Sequence, residues 1–230
     1  ALPISIDLFV VKMSILILFI MKCLGKDRKY LSKILLECQK FSNFTSNFIL
    51  LISKQMENFK DLVQKRRSVR KFTEQEIPAE DLQTILRAAL MSPTSKGTRA
   101  WHFVVVDDKG LLEKISLCRP MGSQFIAGAK VAIVVLGDRD VTDAWCEDAT
   151  IAAVTMQYQA ADLGLGSCWC HVRNRFSQVG EPADNLLRFL LKYPENLIAE
   201  CIIGLGHPAI ERKLQDEEGL KWENVEVYKK

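Results

Sequence analysis

"DAWCEDATIAAVTMQYQAADLGLGSCW", residues 143–169, reads as one long helix that ends at a glycine and passes into a short glycine-rich stretch. Asp143 to Gly164 form the helix, with Gly164 suited to the left-handed residue that commonly comes after a last turn. Its middle is apolar or small nearly all round, the pattern of a helix covered on several sides. "GLGSCW" superficially resembles a phosphate loop, but such loops open a helix, and this one comes after a helix. Taken alone it reads as a C-cap and turn. Cys168 and Cys170 flank Trp169, so a strand here would place both thiols on one face.

Working outward, "WHFVVVDD" and "AKVAIVVLGD" are short β-branched runs ended by turn residues, and read as buried strands. "KGLLEKISLCR" between them suits a helix. "PADNLLRFLLKY", opening at Pro182, is a further helix, and "NLIAECIIGLGHP" a further strand ended by Gly-His-Pro. Upstream, Pro78 sits at a helix start with Glu80 and Asp81 in the first turn. Leu82, Ile85, Leu86 and Ala89 then come at helical spacing. Phe59, Leu62 and Val63 mark one face of a shorter helix. The sum is an α+β sandwich, a mainly antiparallel or mixed sheet covered by helices.

At 230 residues, 48% hydrophobic and 26% charged, the chain is globular in composition. The formal charge of +3 is unevenly spread. Of 31 basic and 28 acidic residues, the first 55 positions hold eight and three, which leaves 23 and 25 for the remainder. Residues 56–230 are therefore slightly acidic at −2. That argues against a nucleic-acid module, which carries a basic excess over its binding domain.

Residues 1–55 differ in kind from the rest. Ile4 to Met21 is apolar apart from Ser5, Asp7, Lys12 and Ser14. The two charges make it a poor membrane span, and it lacks the marks of a signal peptide. The segment is expected to stand outside the natural domain, with Met56 as the natural start and a weak membrane anchor as the alternative. The domain is then 56–230.

The seven cysteines are scattered without a CxxC pair. This points away from a disulfide framework and toward a reducing, cytoplasmic setting. His102, His171 and His207 are too widely spaced to suggest a metal site, and none is assigned. G-x-S-x-G, H-E-x-x-H, G-x-x-x-x-G-K-[ST] and G-x-G-x-x-G are all absent.

Two segments remain that carry chemistry. "LVQKRRSVRKF", Leu62–Phe72, packs Lys65, Arg66, Arg67, Arg70 and Lys71 around Ser68. Arginine forks grip phosphate oxygens two at a time, and the serine adds a hydroxyl between them. Equally, a basic helix end complements the negative pole of the helix and reads as solvated charge. "SPTSKGTRAWHF", Ser92–Phe103, is rich in small and hydroxylated residues that let backbone amides approach a flat ligand. It also reads as an ordinary loop.

"RRSVRKF", "SPTSKGTRAWHFVVV", the long helix running into "GLGSCW", and "IIGLGHPAIERK" stand in the order and spacing seen in the FMN-dependent nitroreductase family. The chain resembles that family over residues 56–230 and not over 1–55. The resemblance implies a homodimer with FMN at the subunit interface, reduced by NADH or NADPH. It implies that Arg66, Arg67, Ser68 and Arg70 hold the FMN phosphate, ribityl chain and pyrimidine edge. Pro93, Thr94 and Ser95 match the loop beside the flavin, usually given by the other subunit. Gly166 and Ser167 to His171, including Cys168, Trp169 and Cys170, match the segment along the isoalloxazine that supplies backbone donors. Arg212 and Lys213 match the basic pair completing the phosphate socket. Gly97 joins this cofactor-binding set, although many members have Asn there, in N-x-Q-P-W. Arg99 replaces the Gln of that motif and is a candidate for contact with an anionic substrate or the nicotinamide cofactor's phosphate.

The implied activity is ping-pong reduction of nitroaromatics, quinones or a related electron-poor small-molecule acceptor. No protein acid or base is assigned as catalytic. The alternatives are the same fold with another flavin reaction, dehalogenation or flavin destruction, and a non-catalytic flavin-binding protein.

Overall fold

The structure is a computed structural model, and it describes residues 58–229. Among these residues four strands, all antiparallel, make one sheet in the order β1-β2-β4-β3. They are β1 (Trp101–Val106), β2 (Val131–Asp138), β3 (Gly166–His171) and β4 (Leu197–Gly206). The expectations for residues 1–55, and for a start at Met56, lie outside the described residues.

The helices of the described residues are α1 (Phe59–Lys65), α2 (Ala79–Leu90), α3 (Lys109–Ile115), α4 (Trp145–Asp162) and α5 (Ala183–Leu191). Alternation along the strands divides the core in two, because successive side chains point to opposite faces. Ile133, Val135, Cys201, Ile203 and Leu205 pack against Ile85 and Ala89 of α2 and Ala149, Ala152, Ala153, Met156 and Ala160 of α4. On the other face Ala132, Val134, Leu136 and Ile202 meet Leu112 and Ile115 of α3 and Leu187 of α5. Alanines along α4 let it lie close to the sheet, and its low side-chain bulk explains why it is apolar nearly all round. The expected α+β sandwich is the observed architecture.

The helix expected over Asp143–Gly164 runs from Trp145 to Asp162, with Gly164 in the left-handed region at φ +75°. "GLGSCW" goes beyond a cap and turn: the chain leaves Gly164 and becomes β3, an edge strand paired to β4 on one side only. Between Val135 and Leu136 the pairing with β4 slips, Val135 facing Cys201 and Leu136 facing Ala199. Glu200 is the extra residue of this β-bulge. A bulge bends a strand and re-aims a side chain. Among the described residues, no helix is long and apolar enough to cross a membrane.

Candidate functional site

The basic segment after α1 lies on the outer edge of β3. Ser68 and Ser167 form a parallel bridge, and the Val69 N–H donates to the Ser167 carbonyl at 2.9 Å. This close approach needs a glycine in the strand. A Cβ on Gly166 would fall 2.8 Å from Val69 Cγ1 and 2.9 Å from its Cβ. Buried Gln157 reaches from α4 to the Ser167 hydroxyl at 3.5 Å.

In an antiparallel ladder, alternate residues turn N–H and C=O toward opposite edges. The Ser167 carbonyl accepts from Val69, and the His171 carbonyl accepts from Arg119 Nη1 at 3.0 Å, both on the outer side. Trp169 lies between them in phase, so its backbone N–H is presented on that same edge.

Where the segment leaves α1, a cleft of about 200 Å³ opens, with Arg66, Gly166, Ser167, Glu211 and Arg212 among its walls. Whole small-molecule sites run to roughly 300–1,000 Å³. This one fits a phosphate and part of its chain, with a larger ligand continuing along the β3 edge. Neither the Arg66 nor the Arg212 guanidinium has a protein acceptor among the described residues. Arg67 differs, because its Nη1 donates to the carbonyls of Lys213 at 2.6 Å and Leu214 at 3.1 Å. Lys213 thus enters the site through its backbone.

Exposed Arg70 and half-buried Ser68 stand beside buried Cys168. Burial pushes the Cys168 thiol up, while the Arg70 charge, a hydrogen bond from Ser68 and the Arg66 charge act against it. Cys170 points into the core beneath α3 and α5, in the same buried cluster as Cys118, and both are free thiols. Trp169 and His171 lie on the other face, half-buried and stacked, with ring centres 6.3 Å apart.

The loop Pro93–Arg99 sits elsewhere. Its anchor is Asp148, a buried carboxylate in the first turn of α4 that accepts the Ser95 N–H at 2.8 Å and the Thr98 hydroxyl at 3.3 Å. Thr94 Oγ1 accepts the Arg99 N–H at 3.1 Å. Lys96, Gly97 and Arg99 all have positive φ, at 52°, 68° and 52°. For Lys96 and Arg99 this conformation is strained, and such strain persists only where surrounding bonds fix it. The cleft lies at the other end of α4, against Ala161. At 1.5 Å per residue, Asp148 and Ala161 are roughly 20 Å apart along the helix. Within one chain, loop and cleft are therefore separate; the structure brings Arg66, Arg67, Gly166, Ser167 and Arg212 together, and not Pro93, Thr94, Ser95 or Gly97.

A model of the Nitroreductase family matches residues 63–118 and 114–207, more than half the chain. The chain belongs to this family. A protein of Archaeoglobus fulgidus, provisionally named an NADH dehydrogenase/NAD(P)H nitroreductase, is 34% identical over 161 residues, covering 68% of this chain and 89% of its own length. The NADPH-dependent FMN reductase of Bacillus subtilis is 25% identical over 175 residues, covering 67% of each chain. Among solved structures, an FMN-dependent nitroreductase from Clostridium difficile superposes with a TM-score of 0.72 at 43% identity. It covers 74% of this chain and 99% of its own.

Within this nitroreductase-family fold, the Glu200 bulge carries a polar cluster that is not among the residues expected from the sequence. The Glu200 carboxylate, 3% exposed, accepts from Arg173 Nε at 2.8 Å and Cys146 Sγ at 3.3 Å, and lies 3.6 Å from His171 Nδ1. Burial and this carboxylate push the Cys146 thiol up to about 11. His171 is lowered, chiefly by burial; Arg175, Arg173 and Arg119 add to that and Glu200 opposes it. A lone charged residue inside the apolar run "NLIAECIIGLG" was the available signal. Asp148 and Gln157 were hidden within a helix otherwise read as apolar, and Gln215 lay beyond the recognised motif.

Proposed function

We propose that the chain is an FMN-dependent oxidoreductase, taking electrons from NADH or NADPH and passing them to a nitroaromatic, a quinone or another electron-poor acceptor. The observation that carries this reading is the convergence of Arg66, Ser167 and Arg212 on one cleft at the open edge of β3. The FMN phosphate fits there, between two guanidinium groups that have no protein acceptor among the described residues. The flavin ring then continues along β3, where the Trp169 N–H is directed outward.

When bound, FMN supplies the redox centre for both halves of a ping-pong exchange. The chain's own contribution is electrostatic and positional. Arg66 and Arg212 neutralise the phosphate, Arg70 adds positive charge beside the strand, and the Trp169 N–H offers a fixed donor to the ring edge. Donors fixed before reaction need no reorganisation when charge develops, which is the source of their effect. Trp169 and His171 form a flat, half-buried surface next to that edge.

The proposed assembly is a homodimer. Because the Pro93–Gly97 loop and the cleft lie at opposite ends of α4, a second copy offers a way for that loop to reach the flavin. Arg99, exposed on the same strained loop, is proposed to meet an anionic substrate or the nicotinamide phosphate. A reducing, cytoplasmic location accords with the five free cysteines among the described residues.

The test is spectroscopic. The purified chain loaded with FMN is mixed anaerobically with NADH and with NADPH, then with a panel of nitroaromatics and quinones. Bleaching by at least one nicotinamide and recovery of colour with an acceptor supports the reading. A protein that binds no FMN, or whose flavin neither nicotinamide bleaches, overturns it.

A further inference from the structure

The C-terminal segment reaches the cleft by a route with two anchors. At its start, Thr73 N–H donates to the His207 carbonyl at 2.9 Å, and Ala209 N–H donates to the Lys71 carbonyl at 3.0 Å. Phe72 and Pro208 form a bridge between the same two stretches of chain. At its far end, the segment docks on the C-terminus of α1. Ile210, Glu211 and Arg212 lie between the anchors and are exposed.

The far anchor uses groups that a helix leaves over. The last carbonyls of a helix have no partner within it and must be satisfied from outside. Gln215 provides this for α1 from about 150 residues away. Its backbone N–H donates to the Gln64 carbonyl at 2.9 Å. Its side-chain amide donates to the carbonyls of Val63 at 3.0 Å and Arg66 at 3.3 Å. Arg67 meets the segment from the other side, through the Lys213 and Leu214 carbonyls. Glu217 adds a hydrogen bond from Gln64 and a longer contact with Lys60.

We propose that Gln215 and Arg67 are positioning residues, a latch that holds the C-terminal segment across α1 so that Arg212 stays at the phosphate end of the cleft. The proposal rests on the reading of the cleft as an FMN site. It gives Arg67 a role distinct from that of Arg66 next to it: both line the cleft, but the Arg66 guanidinium has no protein acceptor among the described residues, while Arg67 is bonded to the backbone of the segment that carries Arg212. Without these side-chain bonds, the segment that carries Arg212 is held to α1 more loosely, by the Gln215 backbone N–H and exposed Glu217, and binding the phosphate must first order the residues between. That ordering opposes binding. Glu211, an acid at the cleft wall, would also be freed to approach the phosphate.

The experiment is a double-mutant cycle read by FMN and riboflavin affinity of the full chain, riboflavin being the same ligand without its phosphate. Wild type is expected to prefer FMN. Gln215→Ala should weaken FMN about tenfold, about 1.4 kcal/mol, and leave riboflavin unchanged. Arg212→Ala should weaken FMN at least as much. The double variant should be no weaker than Arg212→Ala alone, because Gln215 acts through Arg212. Gln215→Asn, one methylene shorter, guards against a folding defect and should fall between wild type and Gln215→Ala. The latch is refuted if Gln215→Ala leaves FMN affinity unchanged, weakens riboflavin equally, or multiplies the Arg212→Ala loss. A wild type that binds riboflavin as tightly as FMN would remove the phosphate socket, and the latch with it. A wild type that prefers FMN, with Gln215→Ala still preferring it equally, removes the latch alone.

Discussion

The carboxylate of Asp148 and the backbone N–H of Ser95, 2.8 Å apart, tie the start of α4 to a loop more than fifty residues earlier in the chain. Asp148 is 2% exposed and Ser95 half-buried, and removing the carboxylate leaves the Ser95 N–H and the Thr98 hydroxyl without their acceptor. Leaving a buried group unsatisfied costs about 1–3 kcal/mol. Asp148→Ala is expected to lower unfolding stability by about that amount. It should also release the strain at Lys96 and Arg99, giving faster proteolysis within residues 95–99. An unchanged melting temperature together with unchanged proteolysis would show that the loop is held by other contacts.

Gly166 is required by packing rather than by turn geometry. A methyl group there would collide with Val69, so Gly166→Ala should push the 68–70 segment away from β3. Overpacking of this kind costs about 1–3 kcal/mol. The expected result is lower stability and weaker FMN binding in the same variant. Adding Val69→Ala should restore part of both, since it removes the colliding Cγ atoms. Failure of the second change to recover either property would contradict the contact.

Cys146 is half-buried, which invites its use as a reactive thiol, but burial and Glu200 hold its thiol at about 11. At pH 8 its thiolate population is then about a hundredfold below that of an ordinary thiol near 9, and alkylation depends on the thiolate. Peptide mapping after iodoacetamide treatment at pH 8 should find Cys146 largely unmodified. Glu200→Gln should speed the reaction by removing the neighbouring charge. Rapid labelling in the wild-type protein would contradict the placement of that carboxylate.

His171 gives a pH dependence of defined sign. Its folded value is lowered from an ordinary 6.5, so the unfolded chain binds the proton more readily. The stability it contributes is present above about 6.5 and is lost as pH falls through the folded value. The charged groups acting on it are Glu200, Arg175, Arg173 and Arg119. Chemical denaturation between pH 7.5 and 5 should show stability falling with acidity, with a shallower slope in His171→Gln. An equal slope in the two proteins would show that other groups govern this range.

The sheet and its helices were legible because their apolar periods are regular: "AKVAIVVLGD" and "NLIAECIIGLG" can be little other than buried strands. The end of the long helix was legible from Gly164. The edge strand immediately beyond it was not, since the Gly164–Gly166 pattern suits a turn equally well, and only the pairing partner decides between them. The basic segment was compatible with a phosphate socket by composition, and equally with solvated charge; composition could not separate Arg66 from Arg67, which lines the same cleft but binds backbone carbonyls. Their difference arises from the docking of residues 213–217 on α1, a contact between segments far apart in the chain. Glu200 was hidden for a similar reason, because a bulge is a property of the pairing of β2 with β4.

The central claim is that a phosphate-bearing flavin is clamped by Arg66 at the edge of β3. The most direct measurement is an equilibrium titration of wild type and Arg66→Ala with FMN, alongside the unfolding temperature of each without FMN. Wild type is expected to bind FMN, and Arg66→Ala to weaken binding at least tenfold, about 1.4 kcal/mol or more, with the unfolding temperature unchanged. Absence of FMN binding by the wild type, or equal affinity in the two proteins, would contradict it.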